Sequence, residues 1–251
     1  MGQSLKDGFK EMFSRKRPLA QTDPEFYALF NHFAYDEVIH EPGASHPDLD
    51  DRTRAMAVLA ALMGCQGVDE YRDMLVVALG VGVTPVEIKE IVYQGTAYLG
   101  FGRTLPFLRA TNEVFDERDI PTPQENQGTV GPETRMAKGE EAQIAIFGEG
   151  MRGFAQSGPE ETRHIHKWLV DNCFGDYYTR GGLDLRQREM ITFCFIAAQG
   201  GCEPQLTAHA KGNMNVGNDR MFLIALTSQI MPYIGYPRTL NALACVDKAR
   251  D

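Results

Sequence analysis

The chain has 251 residues, 43% of them hydrophobic and 24% charged, an ordinary make-up for a soluble globular protein with enough apolar material for a substantial core. A net charge of −9 and a pI near 5.2 leave no basic face to neutralise phosphates, so nucleic acid is excluded as a natural partner. The longest apolar run, Met74 to Val83, is interrupted by glycines and falls short of the ~18 residues a membrane span needs.

The N-terminus lacks the apolar core of a signal peptide, and Lys6 stands where a myristoylation start wants Ser or Thr. The one basic run, Arg15-Lys16-Arg17, reads as a solvated end. The cysteines (Cys65, Cys173, Cys194, Cys202 and Cys245) are odd in number and include no C-x-x-C, which fits reduced thiols in a cytoplasm.

Residues 1–21 read as a polar tail. Asp23 is a candidate N-cap with Pro24 at the first helical position, and Phe26, Leu29, Phe30, Phe33 and Val38 recur at helical spacing. After a Pro/Gly-broken loop over His40 to Asp48, helical pattern runs from Leu49 to Met63 and resumes to Leu79, with Gly82 as its end. Thr84-Pro85-Val86-Glu87 spells a capping box. The helix it opens stops at Gly100, and another is expected from about Thr104 to Phe115. Residues 22–120 form a first unit, 121–137 a polar Pro/Gly-containing linker, and 138–251 a second unit.

In the second unit Ile144, Phe147, Met151 and Phe154 give one apolar stripe, and a helix after Gly158-Pro159 carries Trp168. Asn172 to Gly182 reads as a loop. Helices follow over Leu183 to Gly217, Asn218 to Tyr233 and Arg238 to Lys248. Period-two alternation is absent, so the fold class is all-α. His164 and His166 diverge on a helix, and His32, His40 and His46 are scattered; no metal site is expected.

The chain also matches itself. Tyr98 to Leu105 (YLGFGRTL) aligns with Tyr233 to Leu240 (YIGYPRTL) at an offset of 135, as do Gly82 with Gly217 and Gln94 with Gln229. Leu49 to Met56 (LDDRTRAM) aligns with Leu183 to Met190 (LDLRQREM) at 134, so one extra residue sits in the Gln199-Gly200-Gly201 turn. The copies differ where chemistry would be carried. Glu189 faces Ala55, Cys202 faces Gly67, Gln205 faces Glu70 and His209 faces Met74. On a helix ending at Gly217, Cys202, Gln205 and His209 share a face, and Glu189 comes from the preceding helix. The apolar Ile191, Phe193, Phe195 and Ile196 beside them would exclude water and favour proton transfer. The plainer reading makes His209 a satisfied helix partner and Cys202 a small apolar residue; Cys194 and Cys245 read as core and Met74 as core filling.

These residues carry a family resemblance. Phe174 to Met190, Cys202-Glu203-Pro204, His209, Gly217 and Tyr233 to Leu243 resemble the carboxymuconolactone decarboxylase family, which includes the alkylhydroperoxidase D proteins; a weaker match covers Phe26 to Phe115. The resemblance implies two tandem helical repeats packed as one unit, an oligomer (a trimer of two-repeat chains), a small carboxylate substrate and no organic cofactor. It implies a relay of Glu189, Cys202 and His209. Gln205 stands where the peroxidase branch has its second Cys, and disulfide turnover needs two thiols.

For a decarboxylase, His209 is the candidate acid/base with Glu189 orienting it. Gln205 is a candidate donor to the developing oxyanion, and Arg186, Arg188 or Arg238 could anchor the substrate carboxylate. Arg238 has a copy in Arg103 and reads equally as a structural salt bridge. Three readings therefore stand: a cofactor-free decarboxylase or related lyase or isomerase, an alkylhydroperoxidase-type peroxidase, and a non-enzymatic helical assembly or small-acid sensor.

Overall fold

The structure is a computed structural model describing residues 19–250. The Arg15–Arg17 run and the Met1-Gly2 start lie outside the described residues. Among the described residues there is no strand. A short helical turn, Leu19–Thr22, precedes α1 (Pro24–His32), which continues through a π-helical stretch, Phe33–Glu37, to Val38–His40. Then come α2 (Asp51–Gly64), α3 (Val68–Gly80), α4 (Pro85–Leu99) and α5 (Phe101–Glu117). After the linker come α6 (Arg135–Phe147) and α7 (Arg163–Trp168), the latter running on as a π-helix, Leu169–Tyr178. The chain ends with α8 (Leu185–Gln199), α9 (Glu203–Asn215), α10 (Arg220–Ile234) and α11 (Tyr236–Lys248). Among the described residues no helix is long and apolar enough to cross a membrane.

The duplication read from the sequence is a duplication of structure: α2–α5 and α8–α11 are the same four-helix succession. Both copies use the same start signals. The Asp50 carboxylate accepts from the Thr53 amide at 2.8 Å, and Asp184 accepts from Gln187 at 2.8 Å. The Thr84–Glu87 capping box forms as predicted, and Asp184 with Gln187 makes a second one. Gly100 and Gly235, which precede α5 and α11, have φ of +81° and +79°, a region that L side chains enter only with strain.

The two repeats interlock. α2 and α8 lie against each other in the centre, where a Cβ on Gly64 would come within 2.6 Å of the Phe195 carbonyl and 2.7 Å of the Ala198 Cβ. α4 packs on α8, and α10 packs on α2, so each repeat lends its third helix to the other's first. One continuous core includes Met56, Leu59, Phe107, Phe193, Phe195 and Phe222. α6 meets the π-helix at close range through two glycines. A Cβ on Gly139 would lie 2.0 Å from the Val170 carbonyl, and one on Gly175 2.4 Å from the Arg135 carbonyl.

Three sequence expectations need correction. Asn172 to Tyr178 is π-helix, not loop; Gly175 serves the close approach to α6 and does not break the element. α5 begins at Phe101, directly after the Gly100 turn, because Pro106 is accommodated within it. The stripe from Ile144 to Phe154 is not one helix: α6 ends at Gly148 (φ +90°), and Met151 and Phe154 sit in short 3-10 turns.

Candidate active site

Glu189 projects from the middle of α8 and is fully buried. One carboxylate oxygen lies 2.9 Å from His209 Nδ1 on α9; the other accepts from the Tyr178 hydroxyl at 2.7 Å. α9 can approach because position 212 is glycine: a Cβ there would fall 2.7 Å from Glu189 Oε2. The Asn213 side-chain amide donates to the carbonyls of Glu189 and His209 at 2.9 and 2.8 Å, tying the two helices at this level. The imidazole is held edge-on by two rings, Tyr98 and Phe147, each at 5.4 Å between centroids. With Nδ1 committed to Glu189, Nε2 is the nitrogen left for a bound molecule.

A chain of hydroxyls stands behind the carboxylate. Tyr178 lies 2.8 Å from the Tyr98 hydroxyl and 2.9 Å from Thr192 Oγ1, and the Cys173 thiol reaches the Tyr98 hydroxyl at 3.7 Å. Each hydroxyl has one proton. Tyr178 gives its own to Glu189, so Tyr98 donates to Tyr178 and Cys173 to Tyr98. Burial pushes both phenols well above the usual tyrosine range, helped for Tyr98 by Cys173 and Glu189 and for Tyr178 by Glu189 and Tyr98. Burial likewise pushes the Cys173 thiol up to about 12. These groups hold their protons and present them toward Glu189.

His209 opens onto a cavity of about 440 Å³. Its wall includes Tyr98 from the first repeat, Gln143 and Phe147 from α6, Cys173 from the π-helix, and Gln199, Cys202 and Gln205 from the second repeat. The structure thus brings Cys202, Gln205 and His209 to one cavity, with Glu189 behind the imidazole. Cys202 is half-buried and its sulfur accepts from Gln199 Nε2 at 3.2 Å; Gln205 is exposed. The three arginines lie elsewhere. Arg188 is fully buried, paired with Glu90 at 3.1 Å and bonded to Gln94 and to the carbonyls of Arg180 and Gly181. Arg186 pairs with Asp48 at 3.0 Å and bonds Asn218. Arg238 lies alongside Gly200. The arginine nearest in bonding terms is Arg103, which donates to Gln199 at 3.2 Å. Among the described residues no Lys or Arg is in the cavity wall, and no cluster of three His, Cys, Asp or Glu could hold a metal.

Sequence reasoning missed Tyr178, Tyr98, Phe147 and Gln143. Tyr98 stands in the repeat paired with Tyr233, and no local signal ties it to the pocket. The counterpart position in the first repeat is closed. Ala55 and Met74 replace Glu189 and His209 there, and the space among Tyr35, Arg54, Ala55, Met74 and Tyr233 is about 10 Å³.

Fold and site together define a tandem-repeat all-helical protein with one acid–imidazole pocket between its repeats. The carboxymuconolactone decarboxylase family pattern matches residues 24–113 and 164–248, and the chain belongs to that family. Over 96 residues it is 29% identical to the 4-carboxymuconolactone decarboxylase of Acinetobacter baylyi, covering 38% of this chain and 68% of that protein. A provisionally assigned gamma-carboxymuconolactone decarboxylase subunit from Burkholderia xenovorans superimposes with a TM-score of 0.51 at 20% identity, covering 95% of this chain and 93% of that one; this likeness is one of fold alone.

Proposed function

We propose that the protein is a cofactor-free carboxy-lyase, or a related lyase or isomerase, acting by acid/base catalysis on a small carboxylated lactone or ring acid. The observation that carries the reading is the His209 imidazole fixed by buried Glu189 at the wall of a cavity of substrate size. In the reaction the bond from ring carbon to carboxylate breaks, CO2 leaves, and the electron pair passes into the conjugated carbonyl as a dienolate. His209 Nε2–H then protonates the ring carbon, and the imidazole regains its proton from water. Glu189 stabilises the imidazolium. A wall without Lys or Arg suits this chemistry, since a localised carboxylate is poorly solvated there while the charge of the dienolate is spread.

The test is CO2 release from 4-carboxymuconolactone. The wild type is expected to turn over, His209→Ala to lose turnover, and Cys202→Ser to keep it; equal rates for wild type and His209→Ala would end the proposal. A peroxidase reading draws on a different observation, that Cys202 and Cys173 both line the cavity. It requires hydroperoxide consumption that disappears in Cys202→Ser. Assembly as a trimer follows the family resemblance and suits Phe101 and Tyr236, equivalent residues that are 62% and 61% exposed. A solution mass of about three times 28.0 kDa would support it, and a monomer would refute it.

A further inference from the structure

Gln143 lies on α6, outside both segments that match the family, and none of the chemistry above uses it. It is fully buried and forms part of the cavity wall, yet among the described residues neither its amide oxygen nor its amide nitrogen has a hydrogen-bond partner. A buried carboxamide with both ends unmet is unfavourable in a protein interior, and native structures rarely keep one without a use. Its position is set firmly. Gly139, one turn earlier, lets α6 press on the π-helix, and Phe147, one turn later, lies against the His209 ring. Gln143 therefore stands one helical turn from the residue that packs on the candidate acid.

Gln205, by contrast, is an exposed residue of the cavity wall. A donor shielded from water and fixed in advance stabilises developing negative charge better than one that water can replace. We infer that Gln143, not Gln205, is the group that recognises the ligand's carbonyl. Its Nε2–H donates to the carbonyl oxygen of a small conjugated ring compound, while its Oε1 is available to a hydroxyl or water. The ligand class is then an α,β-unsaturated lactone or cyclic ketone. The unsaturated ring and the assignment of this oxygen as the site of dienolate charge rest on the proposed decarboxylation; the hydrogen bond from Gln143 to a ligand carbonyl does not.

The experiment uses an unsubstituted butenolide as probe and cyclopentene as its apolar match, with the full-length protein. In the wild type, butenolide should shift the Gln143 side-chain amide resonance in a ¹⁵N spectrum and bind better than cyclopentene. Gln143→Leu should bind butenolide at least tenfold more weakly and cyclopentene as well as or better than the wild type. Its Tm without ligand should be unchanged or higher, because an unmet buried amide has been removed. Gln205→Ala should weaken butenolide binding by less than Gln143→Leu does, and by no more than it weakens cyclopentene binding. The inference is overturned if butenolide leaves the Gln143 amide unmoved, if Gln143→Leu binds both probes as the wild type does, or if that variant loses stability, which would mark a structural bond. Selective butenolide binding through Gln143 with no CO2 release from a carboxylated lactone would sustain the inference and defeat the proposed reaction.

Discussion

Replacing Glu189 by glutamine isolates the charge behind the imidazole while keeping shape. The carboxylate accepts two hydrogen bonds, from Tyr178 at 2.7 Å and from His209 Nδ1 at 2.9 Å. A carboxamide has one oxygen. Tyr178 has already spent its proton in this direction, so the amide oxygen stays with Tyr178 and the NH2 turns to Nδ1. That contact survives only when Nδ1 is unprotonated, and the imidazolium loses its counter-charge. A hydrogen bond to a charged group contributes about 1.5–3 kcal/mol, which converts to roughly a 10- to 150-fold fall in kcat. Stability should move little, because removing a fully buried charge offsets the lost bond. The assay is CO2 release under saturating 4-carboxymuconolactone, alongside a thermal melt. A kcat within twofold of wild type at unchanged Tm would refute the role given to Glu189, and a collapse of both would make it structural.

Further expectations follow from the same geometry. Gly212→Ala puts a Cβ 2.7 Å from Glu189 Oε2 and 2.9 Å from Ile146 and Phe147; overpacking of this kind costs about 1–3 kcal/mol, and both Tm and kcat should drop. Arg188→Met leaves Glu90 held by Arg180 alone, at 2.9 and 3.0 Å, and strips bonds from Gln94 and the Arg180 and Gly181 carbonyls, so denaturant melts should show about 1–3 kcal/mol lost, although Arg188 is outside the cavity. Cys173, Tyr98 and Tyr178 ionise later in the folded chain than in the unfolded one. Their stabilising contribution is complete below about pH 9 and is lost as pH rises toward 12, which a pH series of melts reads directly. Burial keeps the Cys173 thiol protonated at pH 9, so iodoacetamide should leave it unmodified while the half-buried Cys202 reacts. Equal labelling of the two would contradict the burial described.

The helices, their caps and the duplication were legible because each rests on local signals: the Thr84–Glu87 spacing, paired glycines at Gly82/Gly217 and Gly100/Gly235, and apolar stripes. Glu189, Cys202, Gln205 and His209 stood out because the first copy lacks all four at equivalent positions. Tyr178 did not, since a π-helix spreads its residues off the 3.6 period and Gly175 reads as a breaker when its role is close packing. Tyr98 reaches the pocket only because the repeats exchange their third helices, a tertiary fact with no local signature. Arg188 is a candidate carboxylate anchor in the sequence because it adjoins Glu189; helix geometry turns adjacent residues apart, and it meets Glu90 instead.

The proposed function gives the protein a single working site, in the second repeat. The deciding comparison is CO2 release from 4-carboxymuconolactone in His209→Ala and in Met74→Leu, the equivalent position of the first repeat. The space left beside Met74 is only about 10 Å³, and a swap of similar volume there should leave the rate within about twofold. His209→Ala should abolish release. Equal losses in both variants, or a rate untouched by His209→Ala, would contradict the claim.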